Sequence, residues 1–191
     1  MIKESNLKNL LNKTSHSNRG MDLENLINES NQYYRDKDIC LVYKKPTPIG
    51  ISKVSYHDNK KIIDKAYFKE KSTLDYNGVY QGYYLDFEAK ESLSDTAFPL
   101  DNIKEHQTEH IKKVIKHGGI TFLIIKICQK YYLLEGIKYL EFINNFDRKS
   151  IPYQYIVDNG YELKLGYQPS LNYIEIVDKI IKKDGLNEKE K

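Results

Sequence analysis

The stretch Asp86-Phe87-Glu88-Ala89-Lys90 holds residue types that can carry chemistry. In a strand, alternate side chains share a face, so Asp86, Glu88 and Lys90 point one way and Leu85, Phe87 and Ala89 the other. The apolar set belongs to a core. Two acids and a lysine on the opposite face of a buried strand need a reason, because buried charge is costly unless paired or metal-bound. Asp75 lies thirteen positions before Glu88, beside Asn77-Gly78, a pair that favours a tight turn. A hairpin closing there returns Asp75 to the incoming strand, giving Asp-(x)n-Glu-x-Lys. Hard carboxylate oxygens suit Mg²⁺, which keeps several waters and bridges to phosphate. Such a metal acidifies water and stabilises charge on a phosphoryl transition state. The lysine orients the attacking water and offsets developing negative charge. The outline is metal-assisted phosphodiester hydrolysis. A surface strand with a Glu–Lys cross-pair has the same letters, and the pattern is short.

The charge distribution points the same way. The chain has 191 residues and a net charge of +3. Eight lysines and three acids between Lys44 and Lys71 give that segment +5, leaving −2 for the rest. A basic segment on a nearly neutral body is the footprint of a phosphate-backbone partner. A solvated lysine-rich loop is the bland alternative, and composition alone leaves both open. The apolar run Ile120 to Ile125 is far short of a membrane span, and no secretory signal is visible. Cys40 and Cys128 form no CxxC, so both are expected reduced and buried in a cytosolic protein.

Certain elements must position these groups. Residues 1–18 read as a mobile polar tail, 19–184 as a single domain and 185–191 as a frayed end. Leu23, Leu26, Ile27, Ser30 and Tyr34 recur at helical spacing, with Asn18 as cap. Residues 39–43 read as a buried strand. Pro46 and Pro48 then take the chain out of the sheet, and it returns near Ala66. The insertion, about 46–66, is expected to be a projecting two-armed hairpin reaching roughly 33 Å at strand rise. A strand is expected over 79–90, then a helix capped by Asp101 carrying Ile103, Gln107, His110, Ile111 and Val114, ended by Gly118-Gly119. Strands at 120–127 and 131–134, a helix at 137–146 and a last helix at about 170–183 complete an α/β layer with a mixed central sheet.

Ordered blocks along the chain resemble one family. They are Asn18-Arg19-Gly20-Met21, Lys44-Lys45-Pro46-Thr47-Pro48, Ala66-Tyr67-Phe68-Lys69, Ser72-Thr73, Asp75-Tyr76-Asn77-Gly78, Asp86 to Glu91, Phe98-Pro99-Leu100, His106-Gln107 and Leu165-Gly166-Tyr167. Together they are similar to the RecU Holliday junction resolvases, a branch of the PD-(D/E)xK nucleases. The resemblance implies a restriction-endonuclease-like mixed sheet flanked by helices, with a projecting basic stalk that enters a four-way junction. It implies a magnesium site of Thr73, Asp75, Glu88 and Gln107, with Mn²⁺ able to substitute. Lys90 would assist the attacking water, and Glu24 would be an accessory catalytic acid. Arg19 would handle DNA. Lys44, Lys45, Lys53, Lys60, Lys61, Lys65, Lys69 and Lys71, from the basic segment, are the further DNA-binding candidates. A homodimer making paired nicks with 5′-phosphate ends, acting in recombination and repair beside recombinase and branch-migration proteins, is also implied. Leu74 stands where a second threonine is expected and Tyr83 where a basic residue is usual; residues 144–168 match loosely.

Two other readings compete. His106-Gln107-Thr108-Glu109-His110 fits H-x-x-E-H, the inverted zinc-peptidase signature, although no motif marks a third ligand. Alternatively, the fold is a non-catalytic junction- or DNA-binding module. Some of the 17 tyrosines would then stack on bases, Tyr56 of the stalk being the best candidate.

Overall fold

The computed structural model describes residues 22–69 and 73–187. The expected tail at 1–18, Arg19, Lys71 and Ser72 lie outside the described residues, as do positions 188–191.

A six-stranded sheet forms the middle layer. Its strands are β1 (Leu41–Lys44), β4 (Tyr76–Tyr80), β5 (Tyr83–Glu91), β7 (Ile120–Ile127), β8 (Lys130–Glu135) and β10 (Tyr161–Leu163), in that spatial order. Only the central β5–β7 pair is parallel. Its crossover contains β6 (Ala97–Pro99), a 3₁₀ turn (Leu100–Asn102) and α2 (Glu105–Lys116). A parallel pair requires such a crossover. The mixed sheet flanked by helices is the architecture expected from the alternation of elements.

The pleat of β5 divides the core. Leu85, Phe87 and Ala89 face α1 (Leu23–Asp36) and α5 (Ile174–Asn187), packing with Leu26, Ile27, Val177 and Ile180. Phe87 stacks between Tyr76 and Phe122, with centroids 4.9 and 4.5 Å away. On the other face Leu123 and Ile125 pack with Ile111 of α2 and with Tyr139 and Phe142 of α3 (Gly136–Asn145). A short strand pair, β6 with β9 (Ser150–Pro152), and α4 (Tyr153–Asn159) close that layer. No described helix is long and apolar enough to cross a membrane.

The insertion is a hairpin, β2 (Ile49–His57) with β3 (Lys60–Phe68), forming its own two-stranded sheet. Its tip, Asp58-Asn59, has φ of 47° and 61°, the paired positive values of a type I′ turn.

Several boundaries differ from the sequence reading. Asn77-Gly78 is not a turn but lies inside β4. A Cβ on Gly78 would sit 2.0 Å from the Leu41 carbonyl oxygen, so this glycine admits the neighbouring strand. The hairpin instead closes at Gln81-Gly82, with φ of 49° and 85°, so the single strand expected over 79–90 is two. Helix α1 has Asp22, not Asn18, at its N-cap position. Asp101 belongs to the 3₁₀ turn, and α2 starts after Lys104, which leaves Ile103 ahead of the helix. Cys40 is buried as expected, but Cys128 is only half-buried, in the β7–β8 turn.

Candidate active site

Register brings the separated acids together. Tyr76 pairs with Phe87 across the β4–β5 hairpin, so Asp75 falls opposite Glu88. The Asp75 backbone N–H donates to Glu88 Oε2 at 2.9 Å. Both residues are buried, Glu88 completely. The Lys90 ammonium lies 2.5 Å from Glu88 Oε1. That contact misses hydrogen-bond geometry, so Oε1 is a buried oxygen with no hydrogen bond from any described residue. Burial pushes the Glu88 carboxyl above its ordinary range; Lys90 opposes this and the Asp75 charge adds to it.

Asp75, Glu88, Lys90 and Gln107 line one open cleft of about 390 Å³, with Asn102, Lys104 and His106 at its rim. Gln107 is buried in the first turn of α2, where its Oε1 accepts from the Lys104 N–H at 2.9 Å. That cap interaction uses one of two lone pairs on the amide oxygen. Thr73 is half-buried, its Oγ1 3.5 Å from the Leu74 carbonyl. Glu24 stands on α1, across the sheet, paired with Lys44. The start of α1 is tied to the end of β5, since the Leu23 N–H donates to Glu91 Oε1 at 2.9 Å. The buried Tyr76 hydroxyl has no hydrogen bond from described residues, and burial holds its phenol far above the usual range, with Glu24 and Asp75 adding to the rise.

These residues fit a hard divalent cation. Two carboxylates and an amide oxygen converge on an open cleft, and Glu88 Oε1, ion-paired with Lys90, makes no regular hydrogen bond. Among the described residues no group of three His, Cys, Asp or Glu is arranged to hold a metal. Mg²⁺ needs only one or two carboxylates and retains water. A zinc peptidase needs more, and the H-x-x-E-H helix spends its groups elsewhere. His110 Nε2 lies 2.9 Å from Asp86 Oδ2, and Glu109 pairs with Lys112 at 2.7 Å.

The basic candidates separate into two groups. Lys44 and Lys45 are paired with Glu24 and Asp86 at the root of the stalk. Lys53, Lys60, Lys61, Lys65 and Lys69 are exposed on and beside the hairpin. Of these only Lys53 has an acid within reach among described residues, Asp64 at 4.0 Å. Sequence reasoning missed Asn102 and Lys104 at the cleft rim, which only the 3₁₀ turn delivers there. It also missed the partners of Asp86, although the pleat had marked Asp86 as facing the site.

The family model for RecU, described as recombination protein U, matches residues 18–179. The chain belongs to the RecU family. It is 45% identical over 171 residues to the Holliday junction resolvase RecU of Geobacillus kaustophilus, covering 86% of each chain. It is 48% identical over 179 residues to the protein of that name from Bacillus cytotoxicus, covering 91% of this chain and 90% of the other. The structure of Hjc, a Holliday junction resolvase from Archaeoglobus fulgidus, is similar to this RecU-family chain only at 12% identity and a TM-score of 0.37, over 69% of this chain and 93% of that one. That likeness is too distant to bear on the site.

Proposed function

We propose that this protein is a Mg²⁺-dependent endonuclease that resolves four-way DNA junctions by paired nicking, leaving 5′-phosphates. One observation carries the reading: Asp75, Glu88 and Lys90 converge in a cleft on a chain that also projects a lysine-rich hairpin. The family and the names of the relatives supply the substrate class.

Asp75 and Glu88 would hold the metal, with Gln107 and Thr73 completing its protein ligands. When bound, Mg²⁺ supplies Lewis-acid stabilisation of charge on the phosphoryl oxygens. Lys90 is held at the cleft by Glu88, and its remaining ammonium protons are available to orient an attacking water and to offset charge on the departing oxyanion. The half-exposed position of Lys90 keeps those protons reachable by substrate. Glu24 acts from α1 as the accessory acid, setting the position of Lys44. The stalk lysines meet backbone phosphates at the junction centre, with Lys69 at the hairpin's exit. Arg19 and Lys71 complete the proposed DNA contacts. Two copies related by a two-fold axis would nick symmetry-related strands. The setting is cytoplasmic recombination and repair, beside recombinase and branch-migration proteins. Mn²⁺ should replace Mg²⁺.

The test compares wild type with Asp75→Ala on a labelled four-way junction, with Mg²⁺ and with EDTA, scoring cleavage and binding together. Paired nicks that vanish in EDTA and in the variant, with binding retained, establish the reading. Binding without cleavage by wild type in either metal makes the protein a junction-binding module instead.

A further inference from the structure

Asp86 shares the sheet face of Glu88 but sits two residues back along β5, fully buried. Three side chains converge on its carboxylate. Lys45 Nζ, from the segment joining β1 to the stalk, donates to both oxygens at 3.0 and 2.9 Å. Tyr84 OH donates to Oδ2 at 2.8 Å, and His110 Nε2 of α2 lies 2.9 Å from the same oxygen. A buried carboxylate is tolerable only with this degree of satisfaction, and removing one partner of such a network is felt by the others.

Two of these partners, Lys45 and His110, also belong to pieces of the site. The Lys45 backbone N–H donates to the Asp75 carbonyl at 2.8 Å, so one residue grips both Asp75 and Asp86. His110 lies three residues after Gln107, one turn along the same helix face. Past Lys45 the chain runs through Pro46-Thr47-Pro48 into β2, and the Lys69 N–H donates back to the Pro48 carbonyl at 2.9 Å. The stalk root, the Asp75 segment, β5 and α2 are therefore fastened at one point, just behind the cleft.

We propose that Asp86 is a positioning residue. It locks the stalk root through Lys45, and α2 through His110, to the strand that carries Glu88 and Lys90. The separation between Asp75, Glu88 and Gln107 is thereby set by the seating of the stalk root. Lys45 acts here as a strut, not as a phosphate contact. The role rests on the nuclease reading above and extends it.

The test uses His110→Phe, Lys45→Met and Asp86→Asn in the full chain, with Lys45→Arg as the conservative variant. Three quantities are measured: single-turnover junction cleavage at saturating protein against Mg²⁺ concentration, junction affinity in EDTA, and thermal melting. Misplacing groups by an ångström costs up to about a hundredfold in rate, so cleavage is expected to fall about ten- to a hundredfold. The Mg²⁺ concentration giving half the maximal rate should rise. Affinity for the junction should stay at the wild-type value, and Lys45→Arg should recover most of the rate. If Asp86→Asn does not fold, the other two variants decide. Wild-type cleavage by both His110→Phe and Lys45→Met overturns the proposal. So does a loss of affinity that matches the loss of rate, which would make Lys45 a phosphate contact, or a rate loss explained by the unfolded fraction. A wild type that binds junctions but never cleaves them overturns the nuclease reading and this role with it.

Discussion

In the stalk, Lys53 stands directly across from Lys65, and His57 across from Lys60 at the tip. Behind the cleft, Asp86 is buried among a lysine, a phenol and an imidazole, all within 3.0 Å. Like charges paired across strands destabilise a hairpin, and a lone two-stranded hairpin is marginal to begin with. The stalk thus carries charge at a cost to its own folding, relieved at Lys53 by Asp64 4.0 Å away. The Asp86 cluster is neutralised internally and has nothing left to offer a ligand. Glu88 lies between these extremes: buried, ion-paired with Lys90, and lining an open cleft. In the stalk, charge stays largely uncompensated by described residues; at Glu88 it is shared with Lys90 in a cleft open to solvent.

The largest expected effect breaks the comparison at Glu88. Glu88→Gln should lower junction cleavage by about 10³-fold, because it removes a proposed ligand of the cation that would stabilise transition-state charge. Its stability should move the other way. The folded protein raises the Glu88 pKa, so this group's contribution is most favourable at low pH and is lost as pH rises through its folded value. At neutral pH, in EDTA, Glu88→Gln should therefore be more stable than wild type by about 1 kcal/mol, read from thermal melting. A lower melting temperature would show that the Lys90 pair outweighs desolvation.

Stalk substitutions should give a different signature. Each of Lys60→Ala, Lys61→Ala and Lys65→Ala should reduce the slope of log affinity against log salt by about 1, and Lys65→Ala, which removes the charge facing Lys53, should also raise stability slightly. A smaller effect sharpens the same contrast. Lys65→Glu faces Lys53 and should stabilise the protein by about 0.5 kcal/mol while weakening junction binding. Smallest is a control outside both regions. Burial pushes the Cys40 thiol up to about 11, so iodoacetamide at neutral pH should label half-buried Cys128 well before Cys40. The raised thiol also predicts a slight loss of stability as pH climbs from 9 towards 11.

Much of this was legible in the residues. The alternation along 85–90 told which side chains share the face of the cleft and which the opposite core, because a strand's period of two admits no other division; it did not tell that Asp86 is buried behind the cleft. The prolines at 46 and 48 and the lysines beyond them announced an excursion from the sheet. Where reading failed, the deciding fact was a contact that residue letters alone do not record, at two of three places with a partner distant in sequence. Asn77-Gly78 has the letters of a turn, but the approach of Leu41 makes that glycine a strand residue. Asp101 has the chemistry of a cap, yet the helix begins where Gln107 can close on Lys104. Asp86 and His110 lie 24 residues apart, and nothing local records their contact.

The stalk's ladder is self-contained: among the described residues β2 and β3 pair only with each other, and the hairpin leaves and re-enters the body where Lys69 meets Pro48. Its length is therefore independent of the register of the six-stranded sheet. Pairs of residues can be added or removed at the tip without shifting one hydrogen bond of the six-stranded sheet, whereas a single inserted residue in β5 would turn Glu88 into the opposite core. The chain is built as a fixed chassis with an adjustable probe, and the reach of that probe is free to vary on a separate schedule from the chemistry at its base.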